Sequence, residues 1–523
     1  MSNTKTYEKR ADNKNGMKRL VFTGISAIFE LLILFMMFTR FFAIAEWIRV
    51  ATGLLGVVLV IYIYGQHKTS SMKMPWIILI LAFPTFGVFT YLLIGLNGST
   101  RKMNKAIKEM DEQLYKYLPS NTDVMESLRM KSAEGYNVAS YINNYGHYPL
   151  YGNTDVVYYK TPKEGLKAQL EELAKAKKFI FMEYHAIEDD IAWSFIEDIL
   201  IDRVNAGVDV RVFYDDMGSI GFVNTGFVKK LEKRGIKCQD FNTFSMVFNI
   251  LLNNRDHRKI TVIDGRVGFT GGYNLANEYF EITNPYGAWK DSGIKITGDA
   301  VRSLTVMFLE MWNFKKGRRD KFYKDDNFDI FFEENDYTAA GKGYVQPYAD
   351  SPVDDERVGE EVYISLINKS EKYCYFMTPY LIITDEMTHA LSLAAKRGVD
   401  VKIITPGVPD KKIVYSVTRS FYNGLVRNGV RIYEWQPGFV HAKMCISDDA
   451  VAAVGTINLD YRSLYHHFEN GCILYNVAAV ADIKADFDST FAECNDVTEE
   501  YLTGRSRFRR FGQMFLRLFA ELL

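Results

Sequence analysis

Two stretches of the sequence, HRKITVIDGRVGFTGGYNL at 257–275 and HAKMCISDDAVAAVGTINL at 441–459, repeat one pattern. Each begins with His-x-Lys, has an aspartate seven positions after the histidine, and ends in a Gly-x-x-Asn-Leu turn. Corresponding residues are separated by 184 positions throughout, as His257 and His441 are. A single motif of this kind could occur by chance. Two copies at equivalent places indicate a duplicated fold with a shared site.

The sequence around these stretches alternates amphipathic helices with apolar strands, and it does so twice. The helix pattern GLKAQLEELAKAKK precedes the strand pattern FIFMEYHAI in the first half, and EEVYISLINKSEK precedes YCYFMTPYLI in the second. Such alternation predicts an α/β fold in which each half has a mostly parallel sheet covered by helices. We therefore expect a duplicated α-β-α sandwich with a pseudo-twofold axis, its halves at 151–335 and 336–499.

Composition excludes several classes of protein. The chain has 523 residues, which is too long for one hydrophobic core, and its 63 Lys and Arg balance 64 Asp and Glu. A net charge of −1 argues against a protein that coats nucleic acid, so no nucleic-acid partner is expected. The five cysteines and eight histidines show no CxxC or HExxH spacing. A metal site would have to be assembled from distant residues, and we predict neither a metal nor a cofactor.

The N-terminal part of the chain is unusually hydrophobic, with apolar runs at 20–38, 41–64 and 75–96. Each run is close to the ~20 residues that a helix needs to cross a bilayer, although Glu30 weakens the first. The string FPTFG predicts a kink in the third run. A cleaved signal peptide is the alternative, but successive runs without an A-x-A-like cleavage site argue against it. We expect an N-terminal transmembrane helical anchor of two or three helices over 20–96.

Basic residues flank this anchor on both sides, in the tail at 1–19 and in the segment at 97–150. Basic segments next to membrane-spanning helices tend to lie in the cytosol. Both flanks can be cytosolic only if the number of spans is even. We expect a basic cytosolic tail, a linker over 97–150, and a multi-pass protein of the cell membrane whose catalytic part faces the cytoplasm. The number of spans stays open.

The His-x-Lys motif has a geometric consequence if it forms a β-strand. Residues two apart then face the same side, so His257 and Lys259 project together, whereas Asp264 is an odd number of positions away and faces the other side. The second motif repeats this relation with His441, Lys443 and Asp448. We expect the histidines and lysines to line one pocket and the aspartates to be structural more than reactive.

Two histidines and two lysines, with the turn residues Asn274 and Asn458, would form a pocket rich in hydrogen-bond donors and mobile protons. This composition is typical of a phosphate site. Phosphoryl transfer needs neutralised oxygens, a nucleophile and a general acid, and these residues supply all three without a metal. One histidine would attack phosphorus and the other would protonate the departing alcohol, so a phosphohistidine intermediate is expected.

Each histidine also needs a partner that orients its ring. Glu469 follows His441 by 28 residues, and Asp291 lies at the looser counterpart position after His257. We assign both carboxylates to this orienting role, and solvated loop carboxylates are the alternative.

Other polar residues near the motifs give weaker signals. His466 and His467 have no counterpart in the first half and are expected to be incidental. His185 ends a predicted strand, where lining the pocket and packing or capping are equally compatible with the sequence. The acidic pair Asp215 and Asp216 also lacks a counterpart in the second half, so a metal site there is not expected.

The two His-x-Lys-x-x-x-x-Asp copies resemble those of the phospholipase D superfamily, and further strings narrow the resemblance to the bacterial cardiolipin synthase family. These strings are YLLIG at the end of the anchor, WKDSG around Asp291, and GTINLDYRSLYHHFE ending at Glu469. The resemblance covers the anchor through Glu469. Many superfamily members have Gly-Ser after the motif, whereas this chain has Gly271-Gly272 and Gly455-Thr456.

The resemblance implies a phospholipase D-like fold and transfer of a phosphatidyl group between two phosphatidylglycerol molecules at a membrane, giving cardiolipin and glycerol. It also implies that His257 is the nucleophile and His441 the general acid and base. The catalytic positions that it carries over are His257, Lys259, Asp264, His441, Lys443 and Asp448.

Several alternatives stay open. A membrane-anchored phospholipase D that hydrolyses its substrate, or another phosphatidyltransferase such as a phosphatidylserine-type synthase, would use the same intermediate. A non-catalytic membrane scaffold is a further alternative. The segment 500–523 predicts an amphipathic helix that lies in the membrane interface or packs on the catalytic core. A homo-oligomer is compatible with the sequence.

Overall fold

The computed structural model describes residues 46–67, 69–95, 98–241, 254–313, 325, 327–333, 336–354, 356–503, 512, 513, 516, 517 and 520. The strands of the first half are β1 (Thr154–Tyr159), β2 (Phe179–Tyr184), β3 (Asp209–Asp215), β4 (Lys237–Phe241), β5 (Arg255–Asp256), β6 (Lys259–Ile263), β7 (Val267–Gly271), β8 (Ala288–Lys290) and β9 (Gly293–Gly298). Those of the second half are β10 (Tyr344–Asp350), β11 (Tyr373–Met377), β12 (Leu381–Ile382), β13 (Asp400–Pro406), β14 (Arg431–Trp435), β15 (Gly438–Val440), β16 (Met444–Ser447), β17 (Val451–Gly455), β18 (Leu459–Asp460), β19 (His467–Tyr475) and β20 (Cys494–Asp496).

Equivalent strands occupy equivalent places in two large sheets. The first sheet has the order β1-β9-β7-β6-β2-β3-β4, and the second has β10-β19-β17-β16-β11-β13-β14 with β20 added at its edge. In each sheet the strand that follows a His-x-Lys motif, β6 or β16, lies near the middle. The α/β class and the internal duplication expected from the sequence are therefore confirmed.

The prediction of mostly parallel sheets is wrong. In the first sheet only β2–β3 and β3–β4 pair in parallel, and the pairs β1–β9, β9–β7, β7–β6 and β6–β2 are antiparallel. The second sheet follows the same scheme. The reason is the connections: helices link the parallel strands, whereas a tight turn between β6 and β7 reverses the chain.

Helices cover the sheets and also join them. The helices are α1 (Glu46–Tyr64), α2 (Ser70–Ala82), α3 (Pro84–Thr90), α4 (Gly98–Leu114), α5 (Thr122–Lys131), α6 (Ala133–Tyr145), α7 (Pro162–Leu173), α8 (Ile191–Asn205), α9 (Phe227–Glu232), α10 (Val301–Asn313), α11 (Val358–Lys369), α12 (Asp385–Lys396), α13 (Lys412–Val426), α14 (Tyr461–Tyr465), α15 (Ala479–Phe491) and α16 (Thr498–Thr503). Nearly all of α10 is buried, and it contacts β2 and β6 of the first sheet and β10 of the second. One apolar core thus includes residues of both halves.

The segment at 97–150 differs from the linker that we expected. It contains α4, α5 and α6, and their side chains Leu114, Leu128 and Ile142 are fully buried in the core shared by the two halves. Because apolar residues recur at helical spacing, each of these helices presents one apolar face to that core. This segment is therefore part of the catalytic unit.

The N-terminal apolar runs form a helical hairpin in the described residues. Helix α1 lies in the second run, and the third run is broken at Phe83, where Pro84 begins α3. Helix α3 folds back on α2 so closely that a Cβ on Gly87 would lie 2.6 Å from the Cα of Ile80. Among the described residues, none of the helices meets the length and hydropathy needed to cross a membrane. The expected tail at 1–19 and the first apolar run at 20–38 lie outside the described residues.

Asp264 and Asp448 stabilise equivalent turns after β6 and β16. The Asp264 carboxylate accepts backbone N–H bonds from Lys177, Lys178 and Phe179 at 2.7–2.9 Å. The Asp448 carboxylate accepts the same three bonds from Glu371, Lys372 and Tyr373 at 2.7–2.8 Å. Both aspartates have left-handed backbone angles, with φ of 54° and 53°, which aspartate tolerates better than most residues. Each carboxylate ties its turn to the start of the neighbouring strand, which is a structural role.

Most of the segment at 500–523 lies outside the described residues, so the expected amphipathic helix is not tested. Of its described residues, Arg517 has its guanidinium 3.9 Å from the ring centre of Phe421 in α13. This contact favours packing on the catalytic part at that position.

We predict that Asp448→Asn lowers the free energy of unfolding by about 1–3 kcal/mol, because the amide removes part of the acceptor capacity for three backbone N–H groups. Asparagine keeps the backbone tolerance for positive φ, so turnover per folded molecule should be unchanged. Thermal unfolding and activity of the folded fraction measure the two effects. Asp488→Asn, at an exposed helix position, is the control and should change stability by less than about 0.5 kcal/mol. Loss of turnover without loss of stability would contradict the structural role of Asp448.

Candidate active site

Strand pairing between the halves positions His257. The short strand β5 pairs in parallel with the start of β19, so that Arg255 lies opposite His467 and Asp256 opposite Phe468. The backbone N–H of His257 then donates to the carbonyl oxygen of Phe468 at 2.8 Å. The residue after Phe468 is Glu469, so this register brings His257 of the first half to a carboxylate of the second.

His441 is positioned by the reciprocal exchange. Strand β15 pairs in parallel with β8, and Val440 lies opposite Lys290. The backbone N–H of His441 donates to the carbonyl oxygen of Lys290 at 2.7 Å. The next residue in the first half is Asp291. Both exchanges follow one rule: a short strand before each motif pairs with the residues that immediately precede the other half's carboxylate.

Each motif histidine is therefore oriented by the carboxylate of the other half. His257 Nδ1 lies 2.8 and 2.9 Å from the two carboxylate oxygens of Glu469, and His441 Nδ1 lies 2.6 Å from Asp291 Oδ2. Chain order had placed Glu469 after His441 and Asp291 after His257, but the pairing in space is crossed. In both rings the bond to Nδ1 leaves Nε2 as the nitrogen for reaction.

The motif lysines lie beside their own histidines. Lys259 Nζ donates to the carbonyl oxygen of His257 at 2.6 Å, and Lys443 Nζ lies 2.8 Å from His441 Nδ1. The motif differs from the strand that we expected in one respect: β6 begins only at Lys259 and β16 only at Met444, so both histidines precede their strands. Histidine and lysine still share one side because the lysine reaches back to the histidine.

Burial makes the two histidines prefer the neutral form. It lowers the pKa of His257 well below the usual value, and Lys259 and neighbouring imidazoles lower it further. Burial and Lys443 lower the pKa of His441 to about 4, although Asp291 opposes them. A neutral imidazole keeps a lone pair on the reacting nitrogen, which a nucleophile requires.

The two carboxylates differ in their preferred charge. Burial raises the pKa of Glu469 well above its usual value, and Lys259 opposes this only in part. Burial also acts on Asp291, but His441 and Lys443 outweigh it and hold the pKa of this carboxyl below its usual value. Asp291 therefore favours a protonated His441 more than Glu469 favours a protonated His257.

The two lysines hold their charge weakly until an anion arrives. Burial lowers the pKa of Lys259 to about 8 and that of Lys443 to about 7, although neighbouring carboxylates oppose the effect. A bound phosphodiester would restore both charges by Coulomb attraction. The pair can therefore neutralise a phosphate without leaving two stable charges in an unoccupied low-dielectric site.

The two turn asparagines occupy different environments. Asn274 is fully engaged, because its oxygen accepts from the N–H of Ala186 at 3.1 Å and its amide donates to Tyr279 Oη at 2.8 Å. Asn458 is buried, and its Oδ1 has no hydrogen-bond partner among the described residues. Asn458 is thus the better candidate for a direct contact with substrate, whereas Asn274 supports the wall of the site.

The surroundings of the two histidines are unlike each other. The ring of His441 is packed against aromatic rings, with centroid distances of 5.2 Å to Tyr279, 5.4 Å to Trp289 and 6.0 Å to Phe439. The ring of His257 is packed against imidazoles, at 4.8 Å to His185 and 5.4 Å to His467. Sequence reasoning missed the aromatic side, although Trp289 precedes Asp291 in WKDSG.

Three polar residues that had only weak support from the sequence lie in or beside the site. His185 lies in the site, and its Nδ1 is 2.7 Å from the carbonyl oxygen of Asp256. Asp215 accepts from the N–H groups of Gly218 and Asp256 and so supports β5. His467, which we expected to be incidental, lies against His257, and potential ligand atoms of His257, His467 and Glu469 lie within 4.8 Å of one another.

Comparison with known proteins gives a consistent match. A family model described as "Cardiolipin synthase, PLD-like domain" matches residues 169–312 and 363–491, and a second, described as phospholipase D-nuclease N-terminal, matches residues 54–95. The chain is 31% identical to a cardiolipin synthase of Alkalihalophilus pseudofirmus over 472 residues, which is 89% of this chain and 91% of the relative. It is also 31% identical to cardiolipin synthase 2 of Bacillus cereus, over 88% of each chain.

Two further relatives extend this match. A protein of Streptococcus mutans serotype c, described as uncharacterized, is 40% identical over 89% of this chain and 99% of its own length. The crystal structure of a phosphatidylserine synthase from Haemophilus influenzae superposes with a TM-score of 0.56 at 16% identity, covering 74% of this chain and 98% of that one. At this identity the superposition supports the fold alone.

We predict that Lys443→Arg changes the pH dependence of kcat/KM. In the wild type, activity should fall as the pH rises through about 7 and 8, because Lys443 and Lys259 lose their charge in the free enzyme. Arginine stays charged, so the variant should keep its activity until Lys259 deprotonates at about 8. Initial rates at subsaturating phosphodiester across this range test the shift.

The control for this experiment is Lys396→Arg, at an exposed position of α12, which should leave the profile unchanged. A high-pH limb of the same position in Lys443→Arg and the wild type would contradict the role assigned to this lysine.

Proposed function

The chain belongs to the cardiolipin synthase family of phospholipase D-like proteins, and from this membership we propose that it transfers a phosphatidyl group from one phosphatidylglycerol to another, releasing glycerol. The observation that carries this proposal is the pair of crossed histidine–carboxylate contacts at one site. Two oriented histidines are what a two-step displacement at phosphorus requires.

In the first step His257 Nε2 attacks phosphorus of the donor lipid, and the bond from phosphorus to the glycerol oxygen breaks. His441 gives its Nε2 proton to that oxygen, so glycerol leaves neutral and a phosphatidyl-His257 intermediate remains. In the second step neutral His441 accepts the proton of the hydroxyl of a second phosphatidylglycerol. That oxygen attacks phosphorus and displaces His257, and the product is cardiolipin.

The division of roles follows from the two environments. Burial lowers the pKa of His257 well below its usual value, so the ring is neutral, as a nucleophile must be. His441 lies beside a carboxyl group whose pKa is held low, and a bound phosphodiester adds negative charge, so His441 is the better proton donor. Lys259 and Lys443 would neutralise the nonbridging oxygens, and Asn458, whose Oδ1 has no hydrogen-bond partner among the described residues, would contact the substrate.

The aromatic wall supports transfer over hydrolysis. Tyr279, Trp289 and Phe439 pack against His441, the histidine that must activate the incoming hydroxyl. Apolar rings leave water few hydrogen-bond partners there, so a lipid hydroxyl held by its own acyl chains has the advantage. A hydrolytic phospholipase D would need an open path for water to the same histidine.

We also propose that the N-terminal segment anchors the enzyme as a multi-pass protein of the cell membrane, with the catalytic part facing the cytoplasm. Helices α1, α2 and α3 expose large apolar side chains such as Leu54, Ile61, Leu81 and Phe89, and basic residues flank the segment. Protease protection in sealed vesicles of known orientation tests the side. One chain supplies both histidines and both carboxylates, so a homo-oligomer is not required to complete the site.

We expect the purified protein to convert phosphatidylglycerol alone into cardiolipin and glycerol in equal amounts, with no loss of activity in EDTA. His257→Ala should abolish turnover, and His441→Ala should reduce it by about 10²- to 10⁴-fold because general acid–base catalysis is lost. The measurement is separation of the lipid products together with a glycerol assay. His389→Ala, on an exposed face of α12, is the control and should keep full activity.

Phosphatidic acid formed without cardiolipin would overturn this assignment in favour of a hydrolase. Full turnover in both histidine variants would exclude the mechanism, and no turnover in the wild type would favour a scaffold.

The crossed pairing predicts different effects for the two carboxylates. Asp291→Asn should slow a phosphodiester with an alkoxide leaving group by about 10²- to 10⁴-fold, because His441 loses the charge that supports its proton. It should slow a nitrophenyl phosphodiester far less, since nitrophenolate leaves without a proton. Glu469→Gln, beside the nucleophile, should slow both substrates. Equal losses on both substrates in Asp291→Asn would contradict the role of His441 as acid.

A further inference from the structure

His257, His467 and Glu469 form a compact set of potential metal ligands on one side of the site. One ligand atom from each lies within 4.8 Å of the other two. His257 Nδ1 is 2.8 Å from Glu469 Oε1, and His467 Nδ1 is 3.7 Å from the same oxygen. In tetrahedral zinc sites, bonds of about 2.0–2.2 Å place neighbouring ligand atoms about 3.3 Å apart. These two separations lie on either side of that value, so small side-chain movements would bring the three ligand atoms within bonding distance of one ion.

His467 has the properties expected of a metal ligand. Both its ring nitrogens are buried, and within the part of the chain that the structure describes neither has a hydrogen-bond partner. A buried imidazole without partners is costly, and a metal ion would satisfy it. Burial and nearby cationic groups also lower the pKa of this ring, so it is neutral, as a metal ligand must be.

The equivalent position on the other side of the site cannot do the same. His467 lies two residues before Glu469, and Trp289 lies two residues before Asp291. An indole has no lone pair on nitrogen to offer a metal. The duplicated site thus has a metal-ligand set beside His257 and an aromatic wall beside His441.

We propose that His257, His467 and Glu469 bind one Zn²⁺, and that this ion inhibits the enzyme. Two imidazoles and one carboxylate with an open fourth position are a common zinc set, whereas Mg²⁺ and Ca²⁺ prefer oxygen ligands. Binding replaces the hydrogen bond between His257 and Glu469: the Nδ1 proton of His257 goes to solvent, and zinc bonds to Nδ1, to a Glu469 oxygen and to one nitrogen of His467.

Inhibition follows from the charge that His257 must carry. When Nε2 bonds to phosphorus the ring becomes cationic, and Glu469 stabilises it through Nδ1–H. With Zn²⁺ on Nδ1 this stabilisation is lost and the cationic ring is repelled. Zinc should therefore lower kcat more than it raises KM. This consequence rests on the proposed nucleophilic role of His257, whereas binding of the ion does not.

The surrounding charges reduce the affinity without removing the site. The cationic side chains of Lys259 and Arg462 interact electrostatically with His467 or Glu469 and would repel a bound cation. The carboxyl group of Asp460 offsets part of this repulsion. We expect weaker binding than in a structural zinc site, and reversal by a chelator.

The test uses the full chain in detergent after EDTA treatment. Zn²⁺ is titrated against turnover of phosphatidylglycerol, and Co²⁺ is titrated against visible absorption, since tetrahedral Co²⁺ has intense bands. His467→Asn should raise the zinc concentration for half inhibition by at least about 10-fold, relative to its own metal-free rate, and should lose the cobalt bands. His466→Asn, at the adjacent imidazole, is the matched control and should behave as the wild type.

The outcomes separate the two proposals. Tetrahedral cobalt bands that depend on His467 support the site even if no cardiolipin forms. Their absence in the wild type, or unchanged inhibition in a folded His467→Asn, overturns it. Zinc inhibition that only raises KM would also overturn it, because the ion would then compete with substrate rather than act through Nδ1.

Discussion

Each motif histidine takes its orienting carboxylate from the other half of the duplication, and the site depends on this exchange. Two short parallel pairings position the motifs: β5 pairs with β19, and β15 pairs with β8. In each pairing, the motif histidine follows the last paired residue of one segment, and the other half's carboxylate residue follows the last paired residue of the other. Neither half alone contains an oriented histidine. The two halves must therefore keep this strand register. The buried helix α10 contacts both halves, and the ion pair of Lys290 with Asp486, at 2.6 Å, joins them, so both features stabilise the register.

Burial of this arrangement determines its electrostatics. In a low-dielectric site an unpaired charge is costly, so the histidines are neutral and the lysines hold their protons weakly. A bound phosphodiester adds negative charge beside the two lysines. The same anion would favour the charged form of both lysines and protonation of His441, so substrate binding and the charge state of the site are coupled.

The pseudo-twofold is broken where chemistry requires a difference. Equivalent positions carry His467 on one side and Trp289 on the other, and equivalent carboxyl groups have pKa values shifted in opposite directions. A symmetric pair could not divide the roles of nucleophile and acid. Imidazoles beside His257 and aromatic rings beside His441 give two environments from one repeated scaffold.

The sequence by itself determined the duplication, the α/β class, the motif residues and the two carboxylates, because these depend on local periodicity and on a repeat with constant spacing. It did not determine which carboxylate serves which histidine, that the sheets are mixed, or that the segment at 97–150 belongs to the core. Nor did it indicate that His467 lies against His257. Those facts depend on strand pairing and packing between residues far apart in the chain, and only the tertiary structure decides which distant segments become neighbours.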